Sequence, residues 1–151
     1  MIMIQNVLVT TIGFTQTTAE EFFERLIRAG VKKVIDVRLH NTSQLSGFAK
    51  ADDLAYFLRK IGQIGYSHEP LLAPTDDILK AYKKQKGDWT VYERQFLALL
   101  ETRKIEERLN PEMFDGACLL CSEATPHHCH RRLVCDYLNK KWNNILSVRH
   151  L

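Results

Sequence analysis

Cys121-Ser122-Glu123-Ala124-Thr125-Pro126-His127-His128-Cys129-His130-Arg131-Arg132 puts two thiols, a carboxylate, three imidazoles and two guanidinium groups into one short stretch. The pattern predicts a strand ending at Cys121, a tight turn, and a helix capped by Thr125 with Pro126 at its first position. The open amides and dipole of a helix N-terminus favour an anion and lower the pKa of a nearby thiol. Cys129 falls in that first turn, and Cys121 at the strand end that feeds it. Together they read as a thiolate pair, as half of a metal site completed by His128 or His130, or as a reversible disulfide. Glu123 reads as a general base, or as the neutralising partner of His130 or Arg131 in the next turn.

A second group is Asp36-Val37-Arg38, an acid near a strand's end with an arginine just beyond it. Such an arginine either clamps a ligand carboxylate or phosphate by two parallel hydrogen bonds or pairs internally with Asp36. His68, before Glu69-Pro70, either presents an imidazole to a pocket or is a hydrogen-bonded structural residue. Several known motifs fail. Cys118-x-x-Cys121 is half of a zinc ribbon by spacing, but in a strand these positions face opposite sides. It also precedes a turn rather than straddling a helix start, unlike a thioredoxin-type pair. No arginine stands six positions after Cys118, Cys121 or Cys129, as a cysteine-phosphatase cradle requires. Gly13 alone makes neither a dinucleotide fingerprint nor a phosphate loop. Cys118 and Cys135 read as small apolar core residues, and all four cysteines as reduced thiols.

These residues need a scaffold, and 151 residues with 45% hydrophobic and 26% charged suit one soluble domain with a full core. The apolar runs fall far short of a bilayer span, and the first residues carry no export signal, so the expected address is the cytoplasm. A net charge of +3 permits an anionic ligand or nucleic acid without demanding either. Lysines at 80–86, with Arg131, Arg132, Lys140 and Lys141 near Tyr82, Trp89 and Trp142, read as a nucleic-acid surface or as ordinary solvated helix faces.

Hydrophobic periodicity supplies the elements. Residues 1–9 predict a buried strand with its exit at residues 10–13. Residues 17–29 predict a helix with a capping box from Thr17 or Thr18 to Glu20 or Glu21, ended by Gly30. A strand at 31–37 follows, then a polar loop at 38–50, a helix at 51–61 stopped by Gly62, and a strand at 64–68. Helices are expected from Thr75 to near Gly87, over 90–109, and from Thr125-Pro126 to about Lys141. Strands are expected at 117–121 and 145–150. Alternation of strand and helix predicts a single α/β layered sandwich around a mostly parallel sheet of about five strands. Ligands of such folds bind beyond the carboxyl ends of the strands, where Asp36, Arg38, His40, His68, Glu69, Cys121, Glu123 and His128 converge.

Thr11-Ile12-Gly13-Phe14-Thr15, Asp36-Val37-Arg38, Tyr66-Ser67-His68 and above all the run from Leu120 to Arg131 resemble the domain of unknown function 488 family over nearly the whole chain. The resemblance implies a compact α/β fold with a parallel sheet and brings no reaction with it. The positions it marks are Gly13, Asp36, Arg38, His68, Cys121, Glu123, Pro126, Cys129, His130 and Arg131. Phe14 and Thr15 stand where the family's first motif has histidine and serine. Asn41 and Gln44 stand where it has a proline and a second arginine.

The expectation is a protein that binds an anionic small molecule, a nucleotide or a nucleic-acid base at the strand carboxyl edge. Gly13, Asp36, Arg38, His130 and Arg131 bind, with the two arginines holding the anion. Glu123 and His68 move protons, and Cys121 or Cys129 supplies a thiolate if turnover accompanies binding. The alternatives are a metal-binding protein using Cys121, Cys129 and a nearby histidine, and a redox or interaction module without turnover.

Overall fold

The computed structural model describes residues 6–41, 47–83, 88–122 and 129–151. Five strands, β1 (Val7–Gly13), β2 (Lys33–Asp36), β3 (Gly65–His68), β4 (Ala117–Cys121) and β5 (Leu146–His150), form one parallel sheet in the order β3-β2-β4-β1-β5. Six α-helices among the described residues flank it: α1 (Ala19–Arg28), α2 (Ala51–Gly62), α3 (Asp76–Lys83), α4 (Trp89–Arg103), α5 (Ile105–Arg108) and α6 (His130–Lys141). This is the expected α/β layered fold.

Strand β4 sits at the centre, and all five of its residues are buried, as a strand covered on both faces must be. Its side chains alternate between two cores. Leu119 and Cys121 join Val9, Ile35 and Val37 against Phe96 and Leu100 of α4 and Leu133 and Leu138 of α6. Cys118 and Leu120 join Ile12 and Val34 against Phe22 and Leu26 of α1 and Leu54 and Leu58 of α2. Cys118 and Cys121 thus face opposite sides, as their odd spacing requires.

From β1 the chain steps over the place of β4 to β2, then outward to β3, with α1 and α2 on one face. It then reverses, returning to β4 and crossing β1 to β5, with α4 and α6 on the other face. The helices that follow β2 and β4 therefore lie on opposite faces, the place in such folds where ligands bind beyond the strand ends.

Local chemistry explains most boundaries. Thr18 caps α1 by accepting from the Glu21 N–H at 3.1 Å, while Thr17 Oγ1 donates to Glu21 Oε2 at 3.1 Å. Gly30, at φ +68°, takes the left-handed turn after it. Three expectations need correction. Strand β1 does not exit at residue 10 but continues through Gly13, because residues 10–13 pair with β4 on one side and 10–11 with β5 on the other. The helix expected over 90–109 begins at Trp89 and breaks at Lys104, which adopts φ 51° and turns the chain into α5. Helix α6 begins at His130 with Cys129 as its cap residue, so Cys129 precedes the first turn. The proposed cap at Thr125-Pro126, like residues 1–5 and Gly87, lies outside the described residues.

Leu120 is fully buried between Ile12 and Asp36 in the register of the two neighbouring strands. Leu120→Ala is expected to lower unfolding free energy by roughly 2–5 kcal/mol in urea denaturation. A loss under about 1 kcal/mol would contradict this central placement.

Candidate functional site

At the carboxyl edge the strand ends form a row in which His68 is opposite Asp36, Asp36 opposite Leu120, and Cys121 opposite Gly13. On the α1/α2 face the row is organised by Asp36, which is 0% exposed. Its Oδ1 accepts from the Arg38 backbone N–H at 3.1 Å and from Arg38 Nε at 2.8 Å; its Oδ2 accepts from Arg38 Nη2 at 2.7 Å and from the Tyr66 hydroxyl at 2.5 Å. Buried charges persist only when paired and hydrogen-bonded in this way. Of the two sequence readings of Arg38, the internal pairing with Asp36 is therefore present.

Arg38 is itself 2% exposed, and its guanidinium lies 5.3 Å from the centre of the Phe14 ring, within cation–π range. Pairing with Asp36 engages Nε and Nη2. The remaining nitrogen, Nη1, is buried and has no hydrogen-bond partner among the described residues. Tyr66 also accepts from Asn41 Nδ2 at 3.2 Å. Burial, together with donation to the Asp36 carboxylate, pushes the Tyr66 phenol from 10.0 up to about 12.

His68 Nε2 lies 2.7 Å from the Arg38 carbonyl oxygen. A carbonyl only accepts, so Nε2 is the donor and Nδ1 is left for another partner. His130 Nε2 makes the same kind of bond, 2.6 Å to the carbonyl of Val37. Two imidazoles thus donate to consecutive carbonyls where the chain leaves β2.

The α4/α6 face holds the second cluster. Arg131 is 0% exposed; its Nε donates to Thr11 Oγ1 and its Nη1 to Cys121 Sγ, both at 3.2 Å. Thr11 Oγ1 lies 2.6 Å from His150 Nδ1. Burial first, and then the charge of Arg131, lower the His150 pKa, so its ring stays neutral near pH 7. The sulfurs of Cys121 and Cys129 are joined as a disulfide across the strand-to-helix connection. The expectation of reduced thiols is met at Cys118 and Cys135 but corrected at this pair. Burial pushes the Cys118 and Cys135 thiols up to about 12, as inert core residues require. Thr15 ties the loop after β1 to the one after β4 through its N–H at 3.1 Å and Oγ1 at 2.7 Å, both to the Ser122 carbonyl.

The candidates expected in one pocket thus fall into two clusters on opposite faces of the sheet edge, joined through the backbone of Val37 and Arg38. His40 pairs instead with Asp76 on the surface at 3.4 Å, and the Glu69 side chain caps the turn at Leu71. Glu123, Pro126, His127, His128 and Gln44 lie outside the described residues. Among the described residues, no group of three or more His, Cys, Asp and Glu side chains gathers to hold a metal ion. Tyr82 and Trp89 pack with Tyr92, and Trp142 packs with Phe114. No helix among the described residues is long and apolar enough to cross a membrane.

A family model described as Domain of unknown function DUF488 matches residues 18–138. The chain belongs to the DUF488 family. No curated protein and no solved structure matches it. The match takes in both edge clusters of this DUF488 chain except for the contributions of β1 and β5. Sequence reasoning did not assign roles to Thr11, Asn41, Tyr66 and His150. Thr11 and Tyr66 stand inside the motifs that carried the resemblance, which was a usable signal. Asn41 and His150 gave none, because only the fold brings them to Tyr66 and Thr11.

The raised Tyr66 pKa fixes the sign of a pH effect. The bond to Asp36 contributes its full stability below the ordinary phenol value of 10.0 and loses it as pH rises through about 12. Tyr66→Phe is expected to cost roughly 1–3 kcal/mol at pH 8, with the gap to wild type narrowing by pH 11 in urea unfolding. A gap that widened with pH would contradict the assigned bond.

Proposed function

We propose that this DUF488 protein binds a small ligand through an anionic oxygen at the edge where β2, β4 and β1 end, with nucleotides and nucleic-acid bases as the fitting classes. The observation that carries the reading is Arg38 Nη1, a buried donor without a partner among the described residues, on a guanidinium already held by Asp36. An unsatisfied buried donor costs about 1–3 kcal/mol, and a ligand phosphate or carboxylate removes that cost through a charge-assisted hydrogen bond. The reversal of strand order beside β2 and β4 supports the same location.

In this reading Arg38 binds, Asp36 fixes its orientation, and Gly13 lets backbone and ligand approach closely. His130 and Arg131 complete the binding set from the other face. If turnover accompanies binding, His68 accepts a proton at Nδ1, Glu123 is the second proton carrier, and Cys121 or Cys129 is the thiolate. A cytoplasmic address belongs to the same proposal.

Arg38→Ala is a poor test, because leaving Asp36 buried without its partner is expected to cost about 3–5 kcal/mol of stability. Arg38→Lys keeps a charge for Asp36 but loses the planar fork. Calorimetric titration at low salt with inorganic phosphate and with a nucleoside monophosphate should show binding by the wild type. It should be weakened about tenfold or more in Arg38→Lys, while thermal unfolding stays cooperative. Equal affinity in a folded Arg38→Lys, or no binding of either ligand by the wild type, would overturn the proposal.

A further inference from the structure

Cys121 ends the central strand and Cys129 caps α6, so each sulfur is held by a different rigid element at the same point of the edge. Cys121 and Cys129 are 1% and 2% exposed, which excludes a folded protein as their direct reaction partner and leaves only small molecules. The two sulfurs are not equivalent. Arg131 Nη1 donates to Cys121 Sγ, and a guanidinium beside a sulfur favours its thiolate. That guanidinium is aligned by Thr11, whose Oγ1 accepts from Nε and is hydrogen-bonded to Nδ1 of His150.

We propose that Cys121 and Cys129 form a two-thiol redox centre in which Cys121 is the attacking thiolate, Cys129 the resolving thiol, and a small hydroperoxide the oxidant. Arg131 and Thr11 are positioning residues. The Cys121 thiolate attacks the terminal oxygen of the hydroperoxide, the O–O bond breaks, and the departing oxygen takes a proton from solvent to leave as an alcohol or as water. Cys121 becomes a sulfenic acid, oxidised by two electrons. The Cys129 sulfur then attacks the Cys121 sulfur, the S–O bond breaks, and hydroxide leaves as water with the Cys129 proton. An external thiol restores both cysteines through two exchange steps. Cys118, which faces the opposite core from Cys121, and Cys135, buried within α6, are free thiols and take no part. The centre shares Arg131 and the two cysteines with the proposed ligand site but does not require Arg38, which lies on the other face of the sheet.

The test uses the full chain, reduced with a dithiol, freed of it, and treated with equimolar hydrogen peroxide. Denatured thiol counts should fall from four to two, and peptide mapping should find only the Cys121–Cys129 bond. In Cys129→Ser, a dimedone adduct should appear on Cys121. In Cys121→Ser, Cys129 should remain unmodified. Thr11→Val, which keeps the side-chain shape and removes the acceptor for Arg131 Nε, should slow Cys121 oxidation by about threefold to tenfold. Where a cysteine variant does not fold, limited alkylation of reduced wild type serves instead, with Cys121 expected to be labelled before Cys129. An unchanged count of four thiols, an adduct on Cys129, a bond to Cys118 or Cys135, an undiminished rate in folded Thr11→Val, or earlier labelling of Cys129 would each overturn the assignment.

Discussion

A helix joining two parallel strands closes with right-handed sense, so the direction in which the chain steps across the sheet decides which face the helix covers. Here the chain steps one way through β2 and β3 and back through β4 and β5. Every later feature depends on that reversal. It puts α1 and α2 on one face and α4 and α6 on the other, and it makes β4 the strand whose every residue is buried. It also brings the ends of β2, β4 and β1 together, where polar side chains have room that the apolar strand centres do not give.

That room is filled at an energetic cost offset by pairing. Asp36 and Arg38 are both removed from water, which is tolerable only because each carboxylate oxygen accepts two hydrogen bonds. Tyr66 and Asn41 extend the network toward the surface, and Phe14 covers the guanidinium. Across the sheet, Arg131 is buried and donates to the Cys121 sulfur and to the Thr11 hydroxyl oxygen. The first arrangement pairs its arginine with a carboxylate; the second directs a guanidinium N–H at a sulfur. Two arginines that look alike in a motif thus do different chemistry. The carbonyls of Val37 and Arg38, holding His130 and His68, are the physical link between them.

Much of this was legible residue by residue. Strand–helix alternation, the Thr18 cap, the Gly30 turn and the burial of Cys118 follow from local propensity and spacing, which act over a few residues. The break at Lys104 was not legible, because lysine carries no signal for a left-handed backbone and its neighbours continue the helical pattern. The start of α6 was misplaced because Thr125-Pro126 is a sound capping signal that competes with a cap at Cys129.

Sequence by itself determined the class of fold and the strand ends that carry reactive groups, with Asp36, Arg38, His68 and Cys121 expected at one edge of the sheet. Those follow from periodicity and from the parallel crossovers it implies. Only the tertiary structure decided that Asp36 holds Arg38, that Arg131 serves Cys121, and that Tyr66, Asn41, Thr11 and His150 complete the two networks. Partners such as Thr11 with Arg131 and with His150 are far apart in the chain. Their meeting depends on strand order and on the face each side chain takes, and no local pattern encodes either.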